Sequence, residues 1–135
     1  MERDSDRVRA LNQRFYDAVS RQNLLGMEQI WSHATHVRCV HPGWKQLEGW
    51  EAIRDSWRRI FQGALCLTVE PEDLHVTVLG STAVVTCRER ISSFTLEGST
   101  TQAAQATNIY EKREGRWQLI HHHASPIKPP TLREE

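Results

Sequence analysis

The hydrophobic rhythm of this chain changes once, at Gly63, and that change fixes the order of its elements. Before Gly63 the apolar residues recur at three- and four-residue spacing; after it, as far as Ser125, they alternate. Val8, Leu11, Phe15, Ala18 and Val19 form one face of a first helix that Ser5 or Asp6 is expected to cap, with Arg7, Arg14 and Arg21 left to water. Asn23 caps a second, short helix through Leu24, Met27, Ile30 and Trp31. Trp50, Ile53, Trp57, Ile60 and Phe61 mark a third, which Gly63 ends. Between the second and third helices, Val37 to His41 reads as a strand that breaks at Pro42-Gly43.

The second half reads as strands. Leu65, Leu67 and Val69 alternate up to Pro71, and Leu74, Val76 and Val78 alternate up to Gly80-Ser81. Thr82 to Phe94 is a long β-branched run, Glu97-Gly98-Ser99 a turn, and Thr100 to Arg113 a further strand that Glu114-Gly115 folds back into Arg116 to Ser125. Helices followed by a meander describe an α+β domain in which a curved antiparallel sheet cups three N-terminal helices around a central pocket. With 135 residues, a single domain over 1–125 is expected, and 126–135, with three prolines and a charged end, reads as a tail.

Charge excludes some partners. Seventeen basic residues balance seventeen acidic ones, so neither a nucleic-acid footprint nor attachment to an anionic membrane is expected. The charged start Met1 to Asp6 and the lack of any run of about 18 apolar residues predict neither a signal peptide nor a membrane span. Cys39, Cys66 and Cys87 stand outside any CxxC pair, so reduced, buried thiols and a cytoplasmic setting are expected.

His41 is the first candidate for chemistry, because a titratable side chain at a strand end beside a Pro-Gly turn tends to border a cavity. Around it, Val40-His41-Pro42-Gly43-Trp44 and Gly49-Trp50-Glu51-Ala52-Ile53, together with the closing run Arg113 to Ser125, resemble the nuclear transport factor 2-like superfamily. Within it, the chain is most similar to the SnoaL-like and ketosteroid-isomerase-like small proteins, over roughly residues 5 to 125. The closing run also resembles the association domain of calcium/calmodulin-dependent kinase, through its Gly-Arg-Trp hairpin leading into a His-x-His-x-Ser strand.

The resemblance implies a cone-shaped fold but not one activity, since the superfamily includes isomerases, dehydratases, cyclases, adaptors and oligomerisation hubs. It places His41 where ketosteroid isomerase has its aspartate base, and Thr107 near that enzyme's protonated-aspartate donor. It places Phe15 or Tyr16 near the helix-one tyrosine, and Arg88 where the association domain has a cavity arginine. On that register Val84, Thr86, Arg88 and Arg90 share the pocket face, with Val85, Cys87 and Ile91 opposite, so the ligand is expected to be anionic or carbonyl-bearing.

The histidine run is split by strand geometry, His122 facing one way and His121 and His123 the other. The isomerase hairpin puts Ile120, His122 and Ala124 on the pocket face and Trp117, Leu119, His121 and His123 outside, an assignment that a one-residue slip reverses. The candidate catalytic set is therefore His41, Arg88, Thr107 and His122, with Phe15, Tyr16, Trp44, Trp57, Thr86 and Arg90 as ligand contacts. Trp31, Trp50, Trp57 and Trp117 lie at apolar positions and are read as core or interface, Trp57 also being counted among the ligand contacts.

No GxGxxG, GxxxxGK[ST] or HExxH motif occurs, so no cofactor and no metal is assigned. The expected function is binding of a small molecule, with isomerisation, cyclisation or dehydration by proton transfer on a carbonyl compound. The alternatives are a non-catalytic binding or oligomerisation module and a metalloenzyme using the histidines. A homodimer through the sheet face is expected with the first two.

Overall fold

The protein was analysed as a computed structural model, which describes residues 2–128. Three helices, α1 (Asp4–Ser20), α2 (Leu24–Ile30) and α3 (Trp50–Gln62), pack into the hollow of a six-stranded sheet. The strands are β1 (Arg38–Val40), β2 (Leu47–Glu48), β3 (Cys66–Leu79), β4 (Thr82–Thr95), β5 (Gly98–Arg113) and β6 (Arg116–Pro126). Their order across the sheet is β2-β1-β6-β5-β4-β3. The α+β architecture is as expected, with one difference: β1 runs parallel to β6, so the sheet is mixed. The chain reaches β6 from β1 only after three long strands, and a non-local pairing of this kind has no local sequence signal.

The expected caps fare unevenly. Asn23 does cap α2, its side chain accepting from the Gly26 N–H at 3.1 Å. Ser5 and Asp6 lie inside the first turn of α1, whose N-cap is Arg3 with no side-chain bond. Asp4 and Asp6 there complement the helix dipole instead. The α1 face that enters the core carries Val8, Leu11, Phe15, Ala18 and Val19, and also Asn12 and Tyr16. Each large apolar side chain so buried stabilises the fold by about 1.5–3 kcal/mol.

Two irregularities bend the sheet. The two alternating runs on either side of Pro71 are one strand, β3, whose register with β4 shifts between Glu72 and His75, where Asp73 takes a φ of 57°. A second shift lies between β5 and β6, where Ile109 pairs with His121 but Tyr110 pairs with Leu119, leaving Ile120 as an extra residue. That bulge reverses the parity of β6, so Trp117, Leu119, His122 and Ala124 all point inward. The expectation that Trp117 and Leu119 face outward with His121 and His123, and Ile120 inward, is corrected on this ground.

Of the expected tail, Pro126 still belongs to β6 and Ile127 donates its N–H to the Ala103 carbonyl at 2.9 Å. Residues 129–135 lie outside the described residues. Cys39 and Cys87 are buried as expected, whereas Cys66, at the start of β3, is exposed. No helix among the described residues is long and apolar enough to cross a membrane.

Candidate functional site

A cavity of about 210 Å³ opens between α1, α3 and the inner face of the sheet. Phe15, Val19, Trp57, Ile60, Leu67, Val69 and Ile91 make its apolar wall, and Trp44, beside the Pro42-Gly43 turn, stands at its edge. Its polar groups are Tyr16, His41, Glu89, Ser93, Gln102 and His122. Among the described residues, no lysine or arginine lines it.

His41 follows β1 directly and is only 3% exposed, so it sits in the wall rather than at the rim. Its Nε2 lies 2.8 Å from the Ser56 hydroxyl, and that hydroxyl gives its own proton to the Ile53 carbonyl at 2.6 Å. Ser56 must therefore accept from His41, which assigns the proton to Nε2 and leaves Nδ1 as an acceptor, 3.9 Å from the Cys39 thiol. Burial, with a contribution from the Arg59 charge, lowers the imidazole pKa to about 4, so the ring is neutral at neutral pH. Trp44 and Trp57 meet the ring edge-on at centroid distances of 4.9 and 4.6 Å.

His122 is assigned by the same reasoning. The Asn108 amide nitrogen donates to Asn12 Oδ1 at 3.0 Å and to the Tyr16 hydroxyl at 3.1 Å, which orients its carbonyl oxygen toward His122 Nδ1, 2.5 Å away. Nδ1 therefore carries the proton and Nε2 the lone pair. Tyr110 adds a hydroxyl bond to Asn12 Oδ1 at 2.8 Å, so the network is anchored to α1. Complete burial holds the His122 pKa well below its ordinary value.

Glu89 completes the site. Its carboxylate accepts from the Tyr16 hydroxyl at 2.7 Å, and its Oε2 stands 3.9 Å from His122 Nε2. Burial raises the carboxyl pKa to about 7, against the opposing effect of the Tyr16 hydrogen bond. A carboxyl that is half-protonated at neutrality in an apolar cavity can take up a proton and return it.

The expected site residues divide into two groups. Phe15, Tyr16, His41, Trp44, Trp57 and His122 are brought together around the cavity. Thr86, Arg88, Arg90 and Thr107 are not. The inner face of β4 is Ala83, Val85, Cys87, Glu89 and Ile91, which puts Thr86, Arg88 and Arg90 on the outer face. Arg88 stands beside Glu72 at 3.8 Å, and Arg90 pairs with Glu70. Thr107 pairs with Thr86 on the same outer side, and its neighbour Asn108 faces inward. The register inferred for Arg88 was thus one residue out of step.

Glu89 was missed, although the sequence held a signal for it. It is the one charged residue in the alternating series Ala83, Val85, Cys87, Glu89, Ile91. The rival series contains both Arg88 and Arg90, two charges that a buried face would have to neutralise. Among the described residues, no three His, Cys, Asp or Glu side chains converge as a self-contained metal site requires.

A curved six-stranded sheet closed over three helices defines a small α+β protein of the nuclear transport factor 2-like fold. More narrowly, residues 8–129 match the model of the SnoaL-like domain, and the chain belongs to that family. It is similar, at 32% identity and a TM-score of 0.86, to a Streptomyces avermitilis protein of the NTF2-like family provisionally described as a dehydratase, over 93% of this chain and 97% of that one. A Thiobacillus denitrificans protein provisionally described as a calcium/calmodulin-dependent protein kinase type II association domain is 28% identical over 89% of this chain and 94% of that one, with a TM-score of 0.79. A curated relative, F-box protein SKIP8 of Arabidopsis thaliana, is 23% identical over 116 residues; they are 86% of this chain but 48% of that protein, so the chain spans about half its length.

Proposed function

We propose that this protein binds a small, uncharged hydroxy-carbonyl compound and moves a proton on it, in an isomerase- or dehydratase-type reaction. The observation that carries this reading is Glu89, a carboxyl buried against Tyr16 with its pKa near 7. The two imidazoles add to it, since His41 Nδ1 and His122 Nε2 are left as acceptors, and acceptors bind ligand hydroxyl groups. The description of the Streptomyces relative as a provisional dehydratase points the same way. With Arg88 on the outer face and no lysine or arginine among the described residues of the cavity wall, the support for an anionic ligand falls away.

In the proposed reaction the ionised Glu89 takes the proton from the carbon next to the carbonyl, and the C–H electron pair moves into an enolate. The protonated Glu89 then returns that proton either to a more distant carbon, shifting a double bond, or to a leaving hydroxyl, releasing water as the C–O bond breaks. The ligand hydroxyl, with one proton to give, donates it to His122 Nε2 or to His41 Nδ1. Trp57, whose buried indole N–H has no partner among the described residues, is the donor nearest to hand for the carbonyl oxygen after a small shift of the ring.

The reading is tested by incubating the protein in deuterium oxide with a panel of small cyclic and β-hydroxy ketones and following loss of the α-proton signal by NMR. Exchange above the buffer rate is expected for at least one probe, and Arg88→Gln is expected to leave it unchanged within about twofold, since exposed side chains remote from a site have small effects. Exchange in no probe would move the reading to a binding module.

For assembly we propose a homodimer through the outer sheet face, where Val84, Ile109 and Ile120 are only partly covered. Sedimentation equilibrium should give a dimer that Val84→Glu weakens by tenfold or more, the effect of about 1.4 kcal/mol. A monomer at all concentrations would exclude it.

A further inference from the structure

Of the three consecutive histidines, only His122 enters the cavity. His121 and His123 lie on the opposite face of β6, their ring centroids 6.3 Å apart and their planes inclined by 45°. We infer that His121 and His123 form a two-imidazole clip for a zinc-class divalent ion on the outer sheet face, separate from the pocket.

Two observations support the clip. The first is reach: zinc binds imidazole nitrogen at about 2.0–2.1 Å, so two rings on one tetrahedral ion have centroids roughly 5 Å apart, about 1 Å closer than the present 6.3 Å. Rotation about the side-chain torsions is the only adjustment needed, because residues two apart on a strand project from the same face.

The second is the surroundings. His121 is flanked across the sheet by Arg38 and Ile109, and His123 by Val40 and Thr107. Arg38 is the cation closest to the clip, and its guanidinium is held by the Thr35 and Val37 carbonyls at 3.0 and 2.9 Å and by Glu48 at 3.3 Å. It is thereby tied toward β2 and the loop before β1. Nitrogen donors without a carboxylate select zinc, copper or nickel over magnesium or calcium. Two imidazoles fill half of a tetrahedral sphere, and water or the same pair from a second copy fills the rest.

The test is titration of the full chain with zinc chloride by calorimetry, with histidine ring signals followed by NMR. Saturable binding is expected at one ion per chain, or one per two chains where two copies share an ion, with the His121 and His123 signals shifted and those of His122 unmoved. His121→Gln and His123→Gln should each weaken binding by tenfold or more, as loss of one of two ligands demands. Both side chains are on the outer face, so melting curves should match the wild type and show that the variants fold. The inference is overturned if binding does not saturate below about 1 mM, or if the double variant keeps its affinity. Neither result depends on the pocket chemistry.

Discussion

Glu89→Gln is expected to abolish proton transfer and, at the same time, to make the protein harder to unfold above neutral pH. The loss of activity follows from the proposed role of Glu89 as the group that carries the proton, and removing such a group costs about 10²- to 10⁴-fold. Glutamine still accepts a hydrogen bond from Tyr16, so the pocket keeps its shape. The gain in stability follows from the raised carboxyl pKa. An ordinary glutamate pKa of 4.5 in the unfolded chain becomes about 7 in the folded protein, so the folded state binds the proton more tightly. Its stabilising effect is complete below pH 4.5 and is lost as the pH rises through 7. Above that, wild type buries a charge that the variant lacks, at a cost of up to about 3 kcal/mol. Urea midpoints measured at pH 8.5 should therefore be higher for Glu89→Gln. Equal midpoints would mean that the carboxyl titrates in the normal range, and the acid–base reading would lose its basis.

Acid is expected to weaken the fold through the two buried imidazoles. His41 titrates at about 4 in the folded protein against 6.5 in the unfolded chain, and His122 is shifted in the same direction. A depressed folded-state pKa gives stability that is present above 6.5 and lost as the pH falls through the folded value. For His41 that loss approaches about 3 kcal/mol at pH 4. Glu89 works against it between 4.5 and 7, but two imidazoles outweigh one carboxyl. Stability should thus fall as the pH is lowered from 6.5, and His41→Gln should flatten the slope. A urea midpoint that stays constant from pH 6.5 to 4 would show that the protonated rings find partners inside the fold.

These two effects share an origin in the site. Tyr16, Asn108, Asn12 and Tyr110 are hydrogen-bonded to one another, with the Asn12 amide nitrogen left without a partner among the described residues, and their network fixes which nitrogen of His122 is free. The buried acid is held beside that free nitrogen at a distance too long for a direct bond. A substrate hydroxyl placed between them would be in hydrogen-bond reach of both. The arrangement costs stability at either end of the pH range, which is the pattern expected where titratable groups are buried for chemistry.

Much of the fold was legible in local pattern. The change of period at Gly63, the Asn23 cap and the Glu114-Gly115 hairpin are each set by residues close in sequence, and each appears where expected. The placement of His41, Phe15, Tyr16 and His122 at the cavity was legible too, through the resemblance of the surrounding motifs. Glu89 was not, because β4 carries plausible residues on both faces: Val84 and Thr86 on one, Val85 and Cys87 on the other. Alternation says that two faces exist but not which of them meets the helices.

The amino-acid order by itself therefore determined the class of fold, the helices-then-strands succession and the clustering of aromatic and histidine side chains near one cavity. The tertiary structure alone decided the inward face of each strand. On β4 this moved Arg88 out and Glu89 in, and on β6 the extra residue Ile120 brought Trp117 and Leu119 inside along with His122. The physical reason is that a strand's register depends on its neighbours: one bulge, or one partner chosen far along the chain, inverts every side chain beyond it.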